Sequence, residues 1–210
     1  MAAFLGNIRY VAWTSFALGA IFLIWYAVGV KGYPLGDATF LSAGLRWLHV
    51  LSGIMWIGLL YYFNFVQIPN VPKIPEEARA PAISKVIAPS ALFWFRWAAM
   101  STMIFGILLA WNQNYLFEAL SLGALSNPSF ADSKVIFIGI GMWLALIMWF
   151  NVWFVIWPNQ QKALNINNKY PDLDAAAKAA AGKTAMLFSR TNTLLSIPML
   201  VAMTGAQTLS

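Results

Sequence analysis

The sequence VIFIGIGMWLALIMWFNVWFVIW, residues 135–157, contains no charged side chain over its whole length. A helix rises about 1.5 Å per residue, so this stretch is long enough to cross a hydrocarbon layer about 30 Å thick. An apolar run of this length is typical of a membrane span rather than of a buried helix in a soluble protein. We therefore predict a spanning helix over Val135–Trp157.

Four more apolar stretches of sufficient length lie elsewhere in the chain. They are Tyr10–Val30, Leu45–Ile68, Ala91–Trp111 and Ala185–Ala206. The first is longer than the 7–15 residues of a signal-peptide core, and no A-x-A cleavage site follows it, so we expect a retained helix. The predicted fold is all-α, a membrane bundle of five spanning helices in one domain over residues 1–210.

The composition supports a membrane protein and excludes several other classes. Hydrophobic residues make up 60% of the chain, charged residues only 10%, and mean hydropathy is +0.67. Soluble domains carry roughly a quarter charged residues. With 0 Cys there is no disulfide framework and no thiolate metal site. The net charge of +6 arises from basic residues between the apolar runs, which is not the basic face of a nucleic-acid-binding protein.

The basic residues also predict the orientation of the bundle. Those on the side of the N-terminus are Arg9, Lys73, Arg79, Lys85, Arg96, Lys162, Lys169, Lys178, Lys183 and Arg190, and those on the other side are Lys31, Arg46 and Lys134. Lys and Arg accumulate on the cytoplasmic side of membrane proteins. We therefore expect the N-terminus in the cytoplasm and the C-terminus outside.

Three features of the sequence between and within the spans predict local structure. Pro69, Pro72, Pro75, Pro81 and Pro89 predict an extended or broken second connection. Asp172 or Asp174 is expected to cap an alanine-rich helix that leads into the fifth span. The glycines of Gly139–Ile140–Gly141 lack the flanking strand and helix start of a nucleotide loop, and we expect them to permit close helix contact.

His49 is the single histidine and lies in the second span. Gly53 and Trp56 follow at i+4 and i+7, on the same helix face, so a flat ring could approach the backbone beside the imidazole. This spacing suits His49 as an iron ligand of one haem b, with Gly53 and Trp56 beside the ring. The alternative is a histidine satisfied by a carbonyl or a lipid headgroup.

Polar residues within the spans form a second candidate site. Asn64, Arg96, Asn151, Arg190 and Asn192 all lie toward the N-terminal side of the membrane and are predicted to form one cluster. The functional interpretation is a pocket for a quinone headgroup or an anion. The alternative is a set of snorkelling arginines and helix-joining amides. The sequence shows no ligand cluster with the usual spacing of a zinc or copper site.

The second span resembles a known family. RWLHV at residues 46–50, followed by Gly53, WIG at residues 56–58 and Tyr62, is similar to the opening of the membrane domain of bacterial cytochrome-c-fused urate oxidases, also called urate hydroxylases. WFRW at residues 94–97, then NV at 151–152 with PNQQK at 158–162, resemble further blocks in the same order. Ser189, Arg190, Asn192, Pro198 and Met203 resemble parts of its closing pattern.

The resemblance implies a multi-pass protein of the bacterial inner membrane. It also shows departures, since family histidines correspond here to Phe93, Gly139, Thr191 and Gln207, a family carboxylate corresponds to Ala98, and the 210 residues contain no C-x-x-C-H motif. The expected function is that of an accessory subunit in a respiratory or oxidase-type complex. Its role would be structural or in electron transfer.

The expected partners are membrane lipids and other membrane subunits, with a periplasmic cytochrome c or a quinone as electron-transfer partners and no nucleic acid. The alternative is a membrane oxidoreductase that oxidises urate or a similar small reductant. It would pass the electrons to a separate cytochrome c.

Overall fold

The computed structural model describes residues 2–208, with the side chains at positions 76 and 80 left out. Five long helices are α1 (Ile8–Val30), α2 (Ala38–Lys73), α3 (Glu77–Asn112), α4 (Ser133–Leu164) and α5 (Ala175–Thr208). Each is long and apolar enough to cross a membrane. The predicted all-helical fold and the five candidate spans are confirmed, and the helices extend beyond the predicted bounds. The predicted domain includes residues 1, 209 and 210, which lie outside the description.

Side-chain caps explain where several helices begin. The Asp37 carboxylate accepts a hydrogen bond from the Thr39 amide at 2.7 Å, and Asp132 accepts one from Lys134 at 2.9 Å. These bonds satisfy amides that have no partner within the helix. The bond from the Thr39 backbone also lowers the pKa of Asp37. Asp174 accepts from the Ala177 amide at 2.7 Å, which confirms the predicted cap of the alanine-rich helix.

Three prolines shape the long helices from within. In each case the residue just before the proline bonds to the carbonyl five residues back: Ile68 to Phe63, Ala88 to Ile83 and Trp157 to Val152. A proline lacks an N–H and clashes with the carbonyl four residues back, so a widened turn relieves the conflict without ending the helix. The wide turns are Tyr62–Gln67, Ala80–Ile87 and Asn151–Ile156.

The proline-rich second connection is therefore far more helical than predicted. The break is confined to Ile74 and Pro75, where Ile74 adopts an extended backbone, and Pro69, Pro72, Pro81 and Pro89 all lie within helical turns. Arg79 holds the break by donating to the Pro72 carbonyl at 3.2 Å and the Ile74 carbonyl at 2.9 Å. The prediction of a broken connection is confirmed at Ile74 and Pro75, whereas an extended connection is not found, because wide turns accommodate Pro69 and Pro89 within the helices.

Helices α2 to α5 pack as an antiparallel bundle. Helix α2 runs against α3, with the Asn112 side chain donating to the Ala38 carbonyl at 2.8 Å and the Phe63 and Phe95 rings in edge contact. Helix α4 runs against α5. The main core, which includes Trp56, Leu60, Phe95, Met148 and Val152, lies between these helices. Helix α1 packs more loosely, against Trp47 of α2.

A short helix, Leu116–Leu120, packs against α4 at the end opposite the N-terminus. The Trp143 indole donates to the Leu120 carbonyl at 2.9 Å, and a side chain at Gly139 would collide with the Ala119 carbonyl. Gly141 faces Ala202 and Met203 of α5, where a Cβ would lie 3.2 Å from each. The predicted use of these glycines for close helix contact is confirmed.

Candidate functional site

His49 of α2 is half-buried against α3. Its Nδ1 lies 2.9 Å from the carbonyl oxygen of Thr102 on α3. A carbonyl only accepts hydrogen bonds, so Nδ1 carries the proton and Nε2 has a free lone pair. Metal-binding histidines usually have this arrangement, with the second ring nitrogen donating to a carbonyl or carboxylate. The bond also matches the alternative of a histidine satisfied by a carbonyl. The structure therefore gives His49 a defined tautomer without choosing between the two interpretations.

Gly106 of α3 provides the space for the imidazole. A Cβ at this position would lie only 2.9 Å from both Cε1 and Nδ1 of His49. Real side chains do not approach this closely, so any residue other than glycine would displace the ring. Sequence reasoning missed Gly106 and Thr102 because they belong to a different helix from His49, and only the packing of the bundle brings them together.

Helix α3 fills the face of α2 on which a flat ring was predicted to lie. The added Cβ at Gly53 would meet the Thr102 methyl group at 3.9 Å. Trp56 is 1% exposed and belongs to the main core. His49 thus fits the role of a ligand, but the face beside Gly53 and Trp56 does not fit a haem ring.

Asn151 and Asn192 form the most deeply buried polar contact of the predicted cluster. The Asn151 amide donates to the Asn192 side-chain oxygen at 2.8 Å, and the Asn192 amide donates to the Met148 carbonyl at 2.9 Å. Asn192 is 0% exposed. The pair joins α4 to α5 and satisfies its own donors, as buried amides in a bundle usually do.

Asn64 makes a separate contact with the same helix α5. Its amide donates to the Ser189 hydroxyl at 2.8 Å and to the Leu60 carbonyl at 3.0 Å. Nearby, the Tyr61 hydroxyl lies 2.9 Å from the Ser196 hydroxyl. Ser189 and Ser196 were not identified as cluster members from the sequence, because serines within apolar helices give no distinctive signal. Helix α5 thus presents small polar groups to both α2 and α4.

The two arginines of the predicted cluster lie in different surroundings. The Arg190 side chain is exposed, on the outer surface of α5, so the structure does not bring it to the buried asparagines. Adjacent positions on a helix point about 100° apart, and Ser189 already faces the interior. Arg96 stacks on Trp157, with its guanidinium carbon 3.2 Å from the ring centroid. Of the five residues, only Asn151 and Asn192 contact each other, while Asn64, Arg96 and Arg190 each lie in separate surroundings.

The positions that correspond to family histidines do not converge on a site in this chain. Phe93, Thr191 and Gln207 are exposed on the surfaces of their helices. Gly139 lies in the tight contact with Ala119. Within residues 2–208, no three His, Asp or Glu side chains lie close enough together to hold a metal ion.

One comparison with known proteins gave a match. The family model described as "Urate oxidase N-terminal" matches residues 116–207, which is less than half of the chain. The matched region contains the short helix Leu116–Leu120, all of α4 and nearly all of α5, and it excludes His49. No curated protein and no solved structure matches the chain. The second half of this helical, apolar protein is thus similar to the urate oxidase N-terminal family.

Proposed function

We propose that the protein is an integral membrane subunit of a respiratory or oxidase-type complex, in which other subunits supply most of the redox chemistry. The match over residues 116–207 and the five apolar helices support this proposal, since both are compatible with an oxidoreductase-like role in a membrane. The orientation follows from the basic residues, with the N-terminus in the cytoplasm of a bacterium.

The use of the buried polar groups is the observation that supports a scaffold role best. Asn151 and Asn192 bind each other and the Met148 carbonyl, and Asn64 binds Ser189. These amides connect α5 to its neighbours. Their amide nitrogens all donate within the bundle, as in helix-joining contacts of membrane proteins generally, while the Asn64 side-chain oxygen is buried and accepts no hydrogen bond from the described residues. The bundle therefore provides a rigid apolar support on which other subunits can assemble.

Purification of the tagged protein from mild detergent tests the subunit proposal. We expect a complex well above 23.3 kDa, with at least one stoichiometric subunit that shows a redox-active absorption spectrum. The same membranes extracted in a denaturing detergent serve as the control and should yield the chain alone. A monomer without redox-active partners in the mild detergent would contradict the proposal.

The tautomer of His49 favours a second candidate, a membrane oxidoreductase with one haem b at His49. The haem ring would have to lie outside the face beside Gly53 and Trp56, because α3 covers that face. Its Nδ1 donates to the Thr102 carbonyl, which orients the ring and leaves Nε2 free to bind iron. The electron acceptor in this candidate is a separate cytochrome c. The reductant in this candidate is urate or a similar small molecule.

Absorption spectroscopy tests this second candidate. This candidate requires a b-type signal in the dithionite-reduced minus oxidised spectrum of the purified protein, and its complete loss in His49→Ala. Gly106→Ala should reduce the signal strongly because the added methyl group displaces the imidazole. Gly58→Ala is the matched control, since nothing lies within 4 Å of its Cβ position. No signal in the native protein, or a full signal in His49→Ala, would rule out haem at His49.

A further inference from the structure

We propose that Arg96 binds the phosphate group of an anionic phospholipid at the basic side of the bundle. This inference rests on the membrane location in the proposed function, but it does not depend on His49 or on a redox role. It rests on the stacking of Arg96, on the absence of a protein partner for its charge among the described residues, and on its depth.

The stacking fixes the plane of the guanidinium. Arg96 lies 3.2 Å above the Trp157 ring and 5.7 Å from the Trp153 ring, which is itself in edge contact with Trp97. A stacked guanidinium uses its flat face for the aromatic contact and keeps the N–H groups of its edge available. The tryptophans therefore hold the planar donor group in one orientation.

The charge of Arg96 lacks a partner within the described part of the chain. Its Nε is sealed from the surface and makes no hydrogen bond. The terminal nitrogens are not among the sealed atoms, and no described side chain or carbonyl accepts a hydrogen bond from them. A partly desolvated cation without a counterion is costly. An external anion can reach only the terminal nitrogens, where it would offset the cost of the charge, and the sealed Nε would keep no partner.

The depth of Arg96 matches the headgroup region. The apolar run of this helix begins at Ala91, although the helix itself begins at Glu77. Arg96 lies five residues, or about 7.5 Å along the helix axis, inside the apolar run, a distance that a long arginine side chain reaches by snorkelling. Trp94 and Trp97 are 57% and 47% exposed beside it. Tryptophan is enriched at the boundary between the hydrocarbon and the headgroups, which supports this level for Arg96.

The chemistry of the group favours phosphate over a neutral ligand. The edge of a guanidinium donates two parallel hydrogen bonds, which match two phosphate oxygens. A phosphate also neutralises the charge, whereas a quinone carbonyl would leave it uncompensated. The phosphate could come from a lipid headgroup or from a free ion. The position of Arg96 at the headgroup level favours the lipid.

Binding of phosphatidylglycerol to the delipidated protein, followed by native mass spectrometry, tests the inference. Arg96→Gln should weaken binding about tenfold, which equals the loss of roughly 1.4 kcal/mol of charge-assisted hydrogen bonding. Arg96→Lys should be intermediate, because an ammonium keeps the charge but loses the planar fork. Arg190→Gln is the matched control, since Arg190 is exposed within a span on the same side.

The outcomes separate the possible sources. Binding of phosphatidylglycerol but not of inorganic phosphate supports a lipid site. Binding of inorganic phosphate alone supports a phosphate site and overturns the lipid source. Equal weakening in Arg96→Gln and Arg190→Gln, or none in Arg96→Gln, would overturn the inference. The Trp fluorescence of each variant checks folding, and a misfolded Arg96→Gln leaves Arg96→Lys as the deciding variant.

Discussion

Gly139→Ala is expected to destabilise the protein by roughly 1–3 kcal/mol, the usual cost of overpacking. Its methyl group would collide with the backbone carbonyl of Ala119, and a backbone atom cannot move aside as the end of a side chain can. The helix Leu116–Leu120 would have to separate from α4. Thermal or denaturant unfolding of the protein in detergent, followed by tryptophan fluorescence, measures the loss.

The control for this prediction is the same substitution at Gly58. That glycine faces open space, so Gly58→Ala should raise stability slightly, by up to about 0.5–1 kcal/mol, through its better helix propensity. If the free energy of unfolding of Gly139→Ala equalled that of Gly58→Ala, the short helix would not pack closely against α4 at Gly139.

Asn192→Ala should give the other large loss of stability, again roughly 1–3 kcal/mol. The change leaves the buried Asn151 amide without its acceptor and removes the bond to the Met148 carbonyl. Individual hydrogen bonds between membrane helices contribute about 0.6 kcal/mol on average to stability. The cost of leaving the buried Asn151 amide without an acceptor adds to the loss of these bonds. The free energy of unfolding in detergent measures the effect.

A double-mutant cycle with Asn151→Ala isolates the pair itself. We expect the two single losses to exceed the loss in the double variant by up to about 1.7 kcal/mol, because the second substitution removes the orphaned group. Thr191→Ala is the control, since Thr191 is exposed and its hydroxyl bonds only to the Leu187 carbonyl of its own helix. Strict additivity of the two asparagine variants would show that they do not interact.

Much of the fold was predictable because it follows from the length of apolar runs. The charge-free stretch Val135–Trp157 can form only a long apolar helix, and the structure has one there. The small residues Gly139 and Gly141 indicated close contact on the same helix. Helix caps such as Asp174 depend only on neighbouring residues, so they too were visible in the sequence.

The surroundings of individual side chains were less predictable because they depend on which helices are neighbours. Arg96 and Arg190 have the same chemistry and a similar depth, yet one stacks on Trp157 and the other is exposed. The face of α2 beside Gly53 looked open, but α3 covers it. Spacing along one helix identifies residues on a common face, whereas it does not identify the element packed against that face.

The wide turns at Tyr62–Gln67, Ala80–Ile87 and Asn151–Ile156 change how helix faces must be read in related sequences. Each turn in effect inserts one residue, so positions on its two sides differ by about 100° from the regular helical phase. A gap of one residue inside a span is therefore structurally reasonable at these three places. An alignment that allows gaps only in loops would assign residues beyond each turn, including Trp157, to the wrong face.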